Sequence, residues 1–138
     1  MNDFGQPTSI TIPAKPEYVG IARLVIAAFA GLLGFDNEAV EDIKIAVSEV
    51  CTSAILQLHK EGRLENRSVE ISAYVKNRDL VIDVGFATKE AASLEKTHTQ
   101  LKERDLGMSV LTSIMDKVEI MKTRNNAVIL RLSKRVPR

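Results

Sequence analysis

The sequence predicts an α+β domain, a two-layer α/β sandwich with helices on one face of a mostly antiparallel sheet. Three observations carry that prediction. Stretches of period two cluster as hairpins, stretches of period near 3.6 are grouped apart from them, and the strand-helix-strand alternation of a doubly wound parallel sheet is missing. Size agrees: 138 residues, 45% hydrophobic and 27% charged, make one globular domain over residues 1–138 that can bury a core.

Each element has its own signal. "TSITIP" alternates polar and apolar residues and stops at Pro13, as a short edge strand does. Pro16 suits a first helical turn and Gly34 a C-cap, so a first helix is expected from Pro16 to Leu33. Asp36 can cap a second helix whose apolar residues Val40, Ile43, Val47, Val50, Ala54 and Leu58 recur at three and four, with Gly62 ending it. Its polar side carries Asp42, Glu49, Ser53 and Gln57. "RSVEISAYVKNRDLVIDVGFATK" reads as a hairpin around "KNRD". "EAASLEKTHTQLKER" lacks a strand period and reads as a surface loop or loose helix. "DLGMSVLTSIMDK" gives a third helix, and "KVEIMK" and "AVILRLS", around Asn125 and Asn126, a second hairpin.

Charge and composition narrow the function classes. A net charge of +1 gives no bulk attraction to nucleic acid or acidic lipid, so neither is expected as a partner. The basic tail "RLSKRVPR" reads as a frayed, solvated terminus. The lone Cys51 cannot close an internal disulfide and reads as a small core residue. No basic-then-apolar leader opens the chain, and its longest apolar run, "LVIAAFAGLLGF", falls short of the ~20 residues a hydrocarbon layer needs. A cytoplasmic domain is the expectation. His59 and His98 lack metal-like companions, so no metal site is expected, and Met108, Met115 and Met121 read as core filler.

"PAKPEYVGIARLVIAAFAGLLGF", "VEDIKIAVSEVCTSAI" and "LGMSVLTSIMDKVEI" resemble, in order and spacing, the anti-sigma factors of Gram-positive bacteria that are also serine kinases. That family has the histidine-kinase-like ATPase, or Bergerat, fold, and the resemblance covers about Ser9 to Leu132. It implies a homodimer that binds ATP and Mg²⁺ between the helices and a lid, holds a sigma factor, and phosphorylates a serine of an anti-anti-sigma protein.

Three family motifs match unevenly. In E-x-x-x-N, the resemblance implies that the Glu acts as general base or positions the attacking group and that the Asn is a magnesium ligand. Glu49 matches, whereas Ser53 replaces the Asn and reaches less far. In D-x-G, the carboxylate reads adenine. A gapless count from Val69 lands on Phe86, Ala87 and Thr88, and only a shorter hairpin brings in "DVG" at Asp83 to Gly85. The gapless count is adopted, without that carboxylate. In the phosphate-cradling G-x-G, Gly107 and Met108 remain, but Asp105 replaces the first Gly. Asp105 can instead simply cap the third helix.

The remnant pocket is thus Ser53, Asp83, Phe86, Thr88, Asp105, Gly107 and Met108, with no cofactor expected, or ATP and Mg if the site works. The first helix fits the family better: "IARLVIAAF" puts Arg23 where the resemblance implies contact with the sigma factor or the anti-anti-sigma partner. Leu24, Ile26, Phe29, Leu32 and Leu33 exceed what one helix face needs, as if some met a second subunit. The function expected is regulation by protein binding with nucleotide binding weakened or lost. The alternative is an active serine kinase with Glu49 catalytic.

Overall fold

The computed structural model describes residues 6–62, 67–87, 107–123 and 127–137. Its elements are β1 (Thr8–Pro13), a 3₁₀ turn at Pro16–Tyr18, α1 (Val19–Leu32), α2 (Asn37–Lys60), β2 (Ser68–Lys76), β3 (Asp79–Ala87), α3 (Gly107–Ile114), β4 (Lys117–Lys122) and β5 (Ala127–Arg135). The order is the expected one. The first helix differs at its start. Proline forces the preceding Lys15 to stay extended, and no side chain caps the turn, so a tighter 3₁₀ bond from Tyr18 N–H to the Lys15 carbonyl, 3.0 Å, precedes the α-helix.

Local chemistry accounts for the other boundaries. The Asp36 carboxylate accepts the Ala39 N–H at 2.8 Å and caps α2. Gly62, at φ +70°, follows its last turn. In the β2–β3 hairpin, Lys76 stands opposite Asp79, leaving Asn77 and Arg78 as a two-residue turn with φ of 52° and 69°. Both positive values belong to the primed turn that suits strand twist.

The five strands form one sheet, ordered β1-β2-β3-β5-β4, with every neighbouring pair antiparallel. Its inner face presents Ile12, Ile71, Ile82, Val84, Phe86, Leu130 and Leu132 to the helices, where Ile26, Ile43, Val47, Leu58 and Leu111 close the core. Ile26 and Phe29 are core residues, and Leu33 packs against it, so these three are not spare apolar surface. Ile21, Leu24 and Leu32 do face outward, at 47%, 63% and 71% exposure. Cys51 is buried, and desolvation pushes its thiol pKa up to about 12. Met115 is core, Met108 packs on it, and Met121 is half-buried on the other face of the sheet. No helix among the described residues is long and apolar enough to cross a membrane.

The outer face of the sheet is polar. Asp83 stands opposite Arg131 and accepts two hydrogen bonds from it, 2.7 Å from Nε and 2.8 Å from Nη2. Tyr74 donates its hydroxyl to the same carboxylate at 3.4 Å, and Glu119 faces Arg131 from β4. The basic tail is therefore not a frayed terminus up to Arg135. Strand pairing holds it, Arg131 and Arg135 form ion pairs with Asp83 and Asp79, and Val136 N–H reaches the Arg78 carbonyl.

Candidate nucleotide and docking sites on the second helix

One turn of α2 puts Glu49 and Ser53 on the same side of the helix, as their spacing requires. A row of residues four apart drifts around a helix by about 40° per step. Starting at half-buried Glu49, the row turns inward, so Ser53 is fully enclosed and Gln57 is 2% exposed. The expectation of an outward polar side at those two positions is corrected by this drift. Gln57 donates from Nε2 to the Glu61 carboxylate at 3.2 Å, while its Oε1 has no partner among the described residues.

The remaining motif positions that the structure describes lie on β3 and α3. Asp83 sits on the outer sheet face, across the sheet from α2, with its oxygens occupied by Arg131 and Tyr74. Hydrogen bonding to Asp83 outweighs desolvation and pushes the Arg131 pKa further above its ordinary value. Phe86, the first residue of the gapless register, is on the helix side and 3% exposed. Gly107 is buried at the start of α3, and Met108 is half-buried beside it. Thr88 and Asp105 lie outside the described residues, as does His98, whereas His59 is exposed on α2.

These placements can be tested against a magnesium nucleotide. Reading adenine from the helix side needs a carboxylate there, and the inward residue at that end of β3 is Phe86. A metal ligand in the second turn needs reach, and Ser53 offers a short hydroxyl in an enclosed position. Among the described residues no group of three or more His, Cys, Asp or Glu could hold a metal ion. Among the described residues, then, Glu49 keeps its motif position, while the metal-ligand position carries Ser53 and the inward position of β3 carries Phe86.

A different cleft, of about 390 Å³, opens between α1 and α2 and is lined by Arg23, Glu41, Lys44, Ile45, Ser48 and Glu49. Glu49 therefore borders the same hollow as Arg23. Arg23 is half-buried and donates from Nη1 to the Ser48 hydroxyl at 3.3 Å, and that hydroxyl donates to the Lys44 carbonyl at 2.8 Å. Sequence reading passes over Ser48, although a serine inside a helix, adjoining the motif Glu and bonding back to residue i−4, is a recognisable pattern. A second hollow, about 500 Å³, lies on the outer sheet face around Glu70, Ser72, Asp83 and Gly85. It also takes in Arg67, whose guanidinium bonds the Ala87 carbonyl.

Comparison with known proteins places this geometry in context. The histidine kinase-like ATPase domain family matches residues 12–134. The chain is 32% identical over 145 aligned positions to the serine-protein kinase RsbW of Bacillus pumilus, covering 97% of this chain and 88% of that protein. It is 31% identical over 118 positions to RsbW of Bacillus subtilis, covering 79% and 73%. A crystal structure of the RsbU and RsbW domains of a Mycobacterium tuberculosis protein superposes with a TM-score of 0.70 at 16% identity, over 96% of this chain. The chain spans only 33% of that larger protein, and the likeness is one of fold. With the family match running over residues 12–134 and the element order and antiparallel sheet in agreement, the chain belongs to the histidine kinase-like ATPase domain family.

Proposed function

We propose that the chain is an anti-sigma-type regulator that works in the cytoplasm by gripping a sigma factor or an anti-anti-sigma protein, with ATP binding weakened or lost. One observation carries the second half of this reading: β3 turns Asp83 to the outer face, into an ion pair with Arg131, and turns Phe86 toward the helices. The first half is supported by relatives named serine-protein kinase RsbW and by the half-buried Arg23 beside an open cleft. The outward Ile21, Leu24 and Leu32 of α1 favour a homodimer whose interface covers them.

Thermal denaturation with and without Mg-ATP tests the nucleotide half. A ligand at a hundred times its dissociation constant adds ~2.7 kcal/mol to stability. Millimolar Mg-ATP is expected to leave the melting temperature unchanged, and a rise of several degrees would refute that half. Isothermal titration against a sigma factor and an anti-anti-sigma protein from the same genome tests the other half, with nucleotide-independent binding of one of them as the expected result. The rival reading is an active serine kinase, favoured by Glu49 at its motif position and by the names of the relatives. Transfer of labelled phosphate from ATP to the anti-anti-sigma partner, abolished by Glu49→Ala, would establish the rival.

A further inference from the structure

We infer that Ser48 is a positioning residue that presets Arg23 for a partner segment carrying a carboxylate next to an aliphatic side chain. The inference rests on the reading of Arg23 as a docking residue. Its basis is the direction of two hydrogen bonds. Ser48 spends its single proton on the Lys44 carbonyl, 2.8 Å away, so toward Arg23 the hydroxyl can only accept, which it does from Nη1 at 3.3 Å. The other side of the guanidinium lies over Gly20, one turn back on α1, where an added Cβ would stand 3.5 Å from Nη2. Arg23 is therefore held across the groove between α1 and α2 instead of extending into solvent.

Held in this way, Arg23 keeps most of its N–H donors unengaged among the described residues, a planar fork suited to a carboxylate. Beside it in the cleft stands Ile45, 48% exposed, which offers apolar contact. Lys44 and Glu41 neutralise each other at 3.0 Å, and Glu49 balances Arg23, so the lining carries no net charge. An isolated anion gains little from such a cleft. A segment that sets an aliphatic side chain on Ile45 while its carboxylate meets the Arg23 fork uses both features. Fixing Arg23 beforehand raises the fraction of molecules ready to bind, and apparent affinity scales with that fraction.

The full-length protein, labelled with ¹⁵N in its arginines and ¹³C in its isoleucine methyls, is titrated with N-acetyl-aspartyl-leucinamide while the signals of Arg23 Nε–H and the Ile45 methyl are followed. Both signals should move together, and N-acetyl-leucinamide, which lacks the carboxylate, should leave Arg23 still. Ser48→Ala should weaken the dipeptide by about 3- to 10-fold, the scale of one ordinary net hydrogen bond, since the 3.3 Å bond is long. Ser48→Thr, which keeps the hydroxyl, should restore it. Equal affinity in wild type and Ser48→Ala would overturn the positioning role while leaving Arg23 as a docking residue. No movement of Arg23 or Ile45 in the wild type would overturn the cleft as the binding place, even if the sigma factor or anti-anti-sigma protein binds elsewhere.

Discussion

Asp83 offers the most direct test of how β3 is oriented. Its side chain is 14% exposed and that of Arg131 29%, so the pair lies between a solvent ion pair and a buried one. Surface pairs contribute about 0–1 kcal/mol, and breaking a fully buried pair costs about 3–5 kcal/mol. With two charge-assisted bonds of 2.7 and 2.8 Å and both partners partly wet, a coupling of about 1–2 kcal/mol is expected. The two single losses should be unequal. Removing Asp83 leaves Arg131 beside Glu119 with access to water, whereas removing Arg131 leaves two carboxylates, Asp83 and Glu119, on the two strands that flank β5, without the cation between them. Arg131→Ala should therefore cost about 2–3 kcal/mol and Asp83→Ala about 1–2 kcal/mol. Urea denaturation of wild type, both single variants and the double variant gives the coupling from the cycle. Additivity within about 0.3 kcal/mol would refute the ion pair as a stabilising unit. Asp83→Ala that left stability untouched but changed Mg-ATP binding would reverse the orientation of β3.

Three further substitutions test separate features. Arg78→Gly relieves a left-handed residue in the Asn77–Arg78 turn and should stabilise by about 0.5–1 kcal/mol, read as a higher urea midpoint. Cys51 gives a pH dependence. Its folded pKa of about 12 lies above the ordinary 9.0, so the unfolded chain ionises first, and the stability present below pH 9 falls at about 1.4 kcal/mol per pH unit between 9 and 12. Cys51→Ala should flatten that part of the profile measured by urea denaturation at pH 8 and 10. Ser53→Asn would put back the family's motif residue, but in a fully enclosed position the added atoms should destabilise by about 1–3 kcal/mol, visible as a lower melting temperature.

The fold was legible because its signals are local. Asp36 as a cap, Gly62 as a stop, "KNRD" as a tight turn and the three-and-four spacing from Val40 to Leu58 each predict an element by themselves. The site was legible only in part. Facing of β3 follows from its alternation, since Ile82, Val84 and Phe86 are apolar and Asp83 is not, but the partner that makes Asp83 comfortable comes from β5, 48 residues away. Ser53 and Gln57 turned inward because an i+4 row drifts around the helix, and how far around the core covers α2 is decided by the elements packed against it, which spacing alone does not fix. Ser48 bonds across to α1 over 25 residues, a contact without a sequence pattern of its own on the α1 side.

The register of β1 has a kinetic corollary. Ile12 rests against Val69, so this edge strand can join its neighbour only after both long helices have been looped back into place. It holds to the sheet along one side only. Amide exchange should accordingly find its protons the first of the sheet to trade with solvent, and refolding should add it late, after the central strands have already cooperated.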